Sequence, residues 1–191
     1  MKRIIKTIAI FTMAAFSLQA TAQTEEEMKK MMENGSPSEM HKMLAKSDGE
    51  WKEDITFWMA PGAPEAKMKA SCVNKMILGG RYQESINKGT MMGMAFEGHG
   101  TLGYDNSRKI FESSWIDNMG TGIMYMSGPW DSTAKSCTLT GKMMDPLSLT
   151  EKDYKETFKV IDDNTQMMEM FGTWYDGKEF KMMEIKFTRK K

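Results

Sequence analysis

The chain predicts an all-β fold, an antiparallel up-and-down β-barrel of about ten strands with a short N-terminal helix. Three observations carry this. From Trp51 to Arg189, apolar and polar residues alternate with a period of two in one short segment after another. Between the segments stand Gly79-Gly80, Lys88-Gly89, Tyr104-Asp105-Asn106-Ser107, Asp117-Asn118-Met119-Gly120, Asp131-Ser132-Thr133, Asp145-Pro146, Asp162-Asp163-Asn164 and Asp176-Gly177. These residues tolerate positive φ or close Asx turns. No stretch between the segments reads as a crossover helix, so a parallel sheet is disfavoured.

Three regions follow along the chain: 1–22, 23–48 and 49–191. Lys2, Arg3 and Lys6 form a basic start, Ile8 to Phe16 a short apolar core, and Ala20-Thr21-Ala22 a small-residue cleavage site. That is the layout of a bacterial secretory signal peptide cleaved after Ala22, too short and wrongly flanked for a membrane span. The mature chain is therefore expected in a periplasm or the medium, and its length suits one domain with a real core. Residues 23–48 are polar. Thr24-Glu25-Glu26-Glu27 begins a helix carrying Met28, Met31 and Met32, Asn34-Gly35-Ser36-Pro37 breaks it, and Ser38 could cap a second short helix through Lys46 with Met40, Met43 and Leu44 on one side. From there Trp51, Glu53, Ile55, Phe57 and Met59 alternate with Lys52, Asp54, Thr56 and Trp58. The remaining strands are expected over 66–78, 80–88, 94–104, 109–117, 121–130, 136–144, 152–161, 166–175 and 178–189.

The 26 Lys and Arg balance the 26 Asp and Glu, and removal of Lys2, Arg3 and Lys6 leaves a net charge of −3. A mildly acidic surface argues against nucleic acid and anionic membrane as partners. Cys72 and Cys137 are the only cysteines. In an oxidising compartment they could form a disulfide, or they are two small buried hydrophobes.

Of the 23 methionines, several fall in i, i+2 pairs that share a strand face: Met92 with Met94, Met124 with Met126, Met168 with Met170. Thioethers are soft ligands for Cu(I). They also fill an adaptable interior that re-packs around varied apolar ligands, and their dispersal over most strands favours this second role. A two-residue turn at Asp176-Gly177 sets Tyr175 opposite Lys178, Met168 opposite Ile185, Glu169 opposite Glu184 and Met170 opposite Met183. Met168, Met170, Met183 and Ile185 form the more apolar face. Two facing carboxylates could act as an acid/base pair if their face were interior. His99, between Gly98 and Gly100, is the one strand histidine that haem could use, but its parity with Glu97 and Thr101 points it outward. Phe111, Trp115 and Asp117 share a face that ends at a turn, an aromatic wall with one acid at the mouth. No phosphate loop, nucleophile elbow, HExxH or CxxC is present.

The run Met94-Ala95-Phe96-Glu97-Gly98-His99-Gly100-Thr101-Leu102-Gly103-Tyr104-Asp105-Asn106 resembles the signature of a bacterial family catalogued only as domain of unknown function 1579. Gly49-Glu50-Trp51, Leu78-Gly79-Gly80-Arg81-Tyr82, the run from Ser114 to Gly122 and the closing Met183 to Arg189 agree with it. The resemblance spans nearly all of 40–190 and implies a calycin-like, lipocalin-type barrel. It carries over no catalytic residues.

The expected function is an exported barrel that holds a small apolar or amphipathic ligand. The candidate ligand-binding residues are Phe111, Trp115, Asp117, Met124, Met126, Met168, Met170 and Glu184. No cofactor is predicted, haem and copper being the two weighed. The alternatives are an enzyme using an interior carboxylate, Glu184 or Asp117, and an envelope interaction protein.

Overall fold

The computed structural model describes residues 25–145 and 148–191. The signal-peptide reading falls on residues 1–22, outside the described residues. The chain divides into two compact units, Met1–Glu33 and Asn34–Lys191. Nearly all of α1 (Glu25–Asn34) belongs to the first. Its first turn carries three glutamates, where the helix dipole favours anions, and Lys30 pairs with Glu26 at 2.8 Å. None of its residues is buried.

The second unit holds α2 (Glu39–Ala45) and eleven strands: β1 (Gly49–Phe57), β2 (Ala66–Ile77), β3 (Tyr82–Met91), β4 (Met94–Asp105), β5 (Ile110–Asp117), β6 (Met124–Gly128), β7 (Trp130–Asp131), β8 (Ser136–Met144), β9 (Glu151–Asp162), β10 (Thr165–Thr173) and β11 (Glu179–Arg189). All pairings are antiparallel, in the order β6-β5-β4-β3-β2-β1-β11-β10-β9-β8-β7, and a further β6–β8 pairing at Ser127 and Thr140 closes the sheet on itself. The ring is a closed ten-strand barrel, and β7 is a two-residue appendage on β8. The expected strand 121–130 is split because Pro129 has no N–H to give to a ladder.

Two glycines make the seam between β6 and β8. A Cβ on Gly128 would sit 1.9 Å from the Thr138 carbonyl oxygen, and one on Gly141 would sit 2.1 Å from that of Tyr125. The strands cross closer than any side chain allows.

The α2 end of the barrel is fastened shut. Ser38 N–H donates to His41 Nδ1 at 2.9 Å and starts α2. The segment after α2 is held from three sides. Gln83 Nε2 donates to the Leu44 carbonyl (2.8 Å) and to Asp48 Oδ1 (3.0 Å), Gln166 Nε2 donates to Ser47 Oγ (2.7 Å), and the Trp51 indole donates to the Ser47 carbonyl (2.9 Å). The Arg189 guanidinium lies 4.2 Å over the fully buried Trp51 ring and donates to the carbonyls of Lys46, Asp48 and Asp163. Leu44, Phe111, Met126, Cys137, Leu139 and Tyr154 form the packed core.

The last hairpin reaches its expected register by an unexpected route. Trp174 N–H donates to the Lys178 carbonyl, so the turn is one residue longer than a two-residue loop. A bulge between Met170 and Phe171 then restores the pairing, with Met168 opposite Ile185, Glu169 opposite Glu184 and Met170 opposite Met183. Met182 is the extra residue. It packs against the core instead of lying on the outer face beside Glu169.

Candidate functional site

Alternation along β1 fixes the inward face: Trp51, Glu53 and Ile55 are buried while Lys52 and Asp54 are exposed. Cross-strand pairs share a face, so the register carries this assignment round the ring. The inward set is Cys72 on β2, Ser85 and Asn87 on β3, Gly98 on β4, Ser113, Trp115 and Asp117 on β5, Met124 and Met126 on β6, Cys137 and Leu139 on β8, Glu156 and Phe158 on β9, Met168 and Met170 on β10, and Met183 and Ile185 on β11.

Most of the expected residues fall into this set. Trp115 lies over Gly98 and Gly100, where a Cβ would meet its ring at 2.3 and 3.3 Å, and it stacks with Phe96 at 6.5 Å between centroids. The glycines beside His99 are thus a bed for the indole. Trp115 Nε1 donates to Asp117 Oδ2 at 2.8 Å, while Asp117 Oδ1 accepts the Met119 N–H at 2.9 Å. Asp117 therefore positions Trp115 and closes its own turn. Met124 pairs with Trp115 across the strands, and Met168 and Met170 also face inward, part-exposed. Phe111 and Met126 sit in the closed core.

Glu184 does not belong to the interior. It points outward from β11, opposite Glu169, and Lys181 bridges the two carboxylates at 3.0 and 2.6 Å. The ammonium neutralises the like-charge pair, and those two contacts, Glu184 first, raise the Lys181 pKa. The disulfide weighed for Cys72 and Cys137 is not formed. Both thiols are free and buried, and burial pushes each up to about 12.

Two further carboxyls face inward, outside the set expected from the sequence. Glu53 is 3 % exposed and Glu156 is part-buried. Burial alone raises each to about 7 from 4.5. Nearby polar groups are satisfied among themselves. Cys72 Sγ donates to Asn74 Oδ1 (3.0 Å) and lies 3.2 Å from Ser85 Oγ, and Asn87 Nδ2 donates to Ser85 Oγ at 3.0 Å. Glu53 and Glu156 have no hydrogen-bond or ion-pair partner among the described residues. A signal for Glu53 was present in its spacing from Trp51, Ile55 and Phe57.

His99 lies on the outer face with Nε2 2.9 Å from Glu97 Oε1, and His41 is held at its Nδ1 by Ser38. Among the described residues no group of three or more His, Cys, Asp and Glu is arranged to hold a metal ion, and no helix is long and apolar enough to cross a membrane. A solvent-open groove of about 470 Å³ lies at the α2 end, lined by Ser36, His41, Arg81, Thr101, Glu112 and Tyr125 among others. None of the expected ligand residues lines it.

No curated protein matches the sequence. Among solved structures, Rv2717c from M. tuberculosis superposes with a TM-score of 0.60 at 12% identity, covering 82% of this chain and all of that one. A redesigned β-barrel aligns with a TM-score of 0.41 at 11% identity, covering 78% of this chain and 95% of its own. The first likeness is one of fold, a barrel. The family model described as "Protein of unknown function (DUF1579)" matches residues 36–189, and the chain belongs to that family.

Proposed function

We propose that the barrel binds a small amphipathic molecule in its interior, on the side of the packed core away from α2. One observation carries this reading. Trp115, Phe158, Met168, Met170 and Met183 point into a closed ring yet keep part of their surface accessible. Inward side chains of a filled barrel are buried outright, so these border unfilled space. The wall is aromatic and thioether, a lining that adapts to varied apolar shapes. The mouth supports the reading. The β3–β4 turn and the segment after β5 are tied by Asn118, whose Nδ2 donates to the Ala95 carbonyl at 2.9 Å. They expose Met92, Met94, Met119 and Ile123 at the end opposite α2, an apolar rim over which an amphiphile enters.

The reading includes export, on the strength of the basic start, apolar core and Ala20-Thr21-Ala22 site. An enzyme built on Asp117 is less well supported, because both of its oxygens are already engaged.

The neutral fluorophore N-phenyl-1-naphthylamine tests the site. Its emission is expected to rise saturably at one probe per chain, and Trp115→Leu is expected to weaken that binding roughly tenfold in protein that is still folded by circular dichroism. No saturable signal from wild type, or one that Trp115→Leu leaves unaltered, contradicts a site at this wall.

A further inference from the structure

The interior carries acid without base. Among the described strand residues, two inward positions hold cations, and both are at the ends of the barrel. Arg189 is spent on Trp51 and three backbone carbonyls, and Lys152 lies 5.1 Å from the Tyr175 ring centroid. Between them face Glu53 and Glu156, neither with a partner, and Glu53 is 97% removed from solvent because its residue exposure is 3 %. Among the described residues every side-chain oxygen cut off from solvent has a hydrogen bond, so the unpartnered carboxyl of Glu53, on the inward face of β1, keeps part of the small surface that the residue retains.

The register sets the depth of the two groups. From Glu53 the row across the sheet runs through Phe187 and Gln166 to Val160 on β9. From Phe57, at the open end of β1, the parallel row runs through Met183, Met170, Glu156 and Leu139, then over the seam by Gly128 to Phe111 near α2. Rows therefore descend toward α2 on going from β1 to β9. Three strand spacings are about 14 Å, and the return along β9 from Val160 to Glu156 is about 13 Å, so at a tilt of about 40° the descent is cancelled. Glu53 and Glu156 therefore stand at nearly one level on the inward face, three strands apart, with Met168 and Ile185 between them.

A buried carboxyl with no donor is costly unless something supplies one. We infer that the ligand carries a protonated nitrogen, and that this nitrogen docks on Glu53 with Glu156 as the second carboxyl, while the apolar body lies along Trp115, Met168 and Met170. This rests on the interior-binding reading and names the chemistry that reading leaves open. The structure favours an aliphatic ammonium or guanidinium over a fatty acid, which would set a third negative charge against two carboxyls.

Competition against N-phenyl-1-naphthylamine separates this inference from the one beneath it. Decylamine, decanol and decanoate share one chain and differ in the head group. For wild type at pH 8, decylamine is expected to displace the probe at a concentration lower than decanol by roughly tenfold or more, and decanoate to be the weakest. In Glu53→Gln that preference is expected to fall to about twofold or less, while affinity for the neutral probe and for decanol is retained. Glu53→Met, isosteric in length, serves the same purpose if the amide disturbs folding. Equal displacement by amine and alcohol, preference for decanoate, or an amine preference that survives both substitutions overturns the cationic ligand and leaves interior binding standing. Absence of probe binding in folded wild type overturns both.

Discussion

Gly128→Ala is expected to lower the stability of the barrel by about 3 kcal/mol or more, and Gly141→Ala by a similar amount. Ordinary overpacking in a core is relieved by side-chain movement. Here the added methyl carbon meets backbone, the Thr138 carbonyl oxygen at 1.9 Å or the Tyr125 carbonyl oxygen at 2.1 Å. The strands must part, and this seam is where the ring closes, through the β6–β8 pairing at Ser127 and Thr140. A parted seam leaves edges on β6 and β8 that invite pairing with other chains. Gly120→Ala and Gly122→Ala are the controls. A Cβ at either meets nothing within 4 Å, and each should fall within about 0.5 kcal/mol of wild type. Urea denaturation of the four variants checks this; a seam variant as stable as the controls contradicts the close crossing.

Glu53→Gln is expected to stabilise the unliganded protein by about 3 kcal/mol at pH 8 and to change it little at pH 4. The sign follows from proton counts. The folded-state pKa of Glu53 is raised to about 7, above its ordinary 4.5. Between those values the folded chain holds a proton that the unfolded chain has released, so stability falls as pH rises through this window. Above pH 7 the folded protein bears a buried, unpartnered carboxylate, and glutamine removes that charge at nearly constant shape. Glu156, also raised to about 7, adds a slope of the same sign and remains in the variant. Chemical denaturation at a series of pH values reads this directly. A variant whose stability runs parallel to wild type from pH 4 to pH 8 contradicts an unpartnered Glu53.

Much of the architecture was legible because a half-buried strand writes its inward face into the sequence at every second residue. That alternation marked the strand set, while the partners Met168 with Ile185 and Glu169 with Glu184 came from a two-residue turn at Asp176-Gly177 that is one residue too short. Alternation also put His99 on the outside, where it pairs with Glu97. What it could not give was the local count of residues. One extra residue in the turn at Trp174–Lys178 and one bulge at Met170/Phe171 cancel beyond the bulge, and only Met182 records the difference.

The candidate site was half legible for a related reason. Trp115, Met124, Met168 and Met170 drew attention because aromatic and thioether residues on one strand face look like a wall, Asp117 shares the parity of Trp115, and the register places all five on the inward face. Phe111 and Met126 have the same parity but lie in the packed core near α2, a distinction of depth that requires the tilt of closed strands. Glu184 was drawn in by its facing Glu169 and excluded by its parity. Glu53 shares the parity of Trp51 and Ile55, yet a carboxyl is ordinarily read as solvent-facing, and Glu156 between Tyr154 and Phe158 was hidden in the same way. Apolar patterning locates a wall. The charge that selects what lies against it departs from the pattern.

The measurement that bears most directly on interior binding is native mass spectrometry of the protein purified from its own source, followed by the same sample denatured. Interior binding predicts a folded mass above that of the chain alone, with the excess released as a small molecule on denaturation and lost from the seam-opened Gly128→Ala variant. A folded protein at the bare chain mass, which also takes up no neutral amphiphile when one is added, contradicts it.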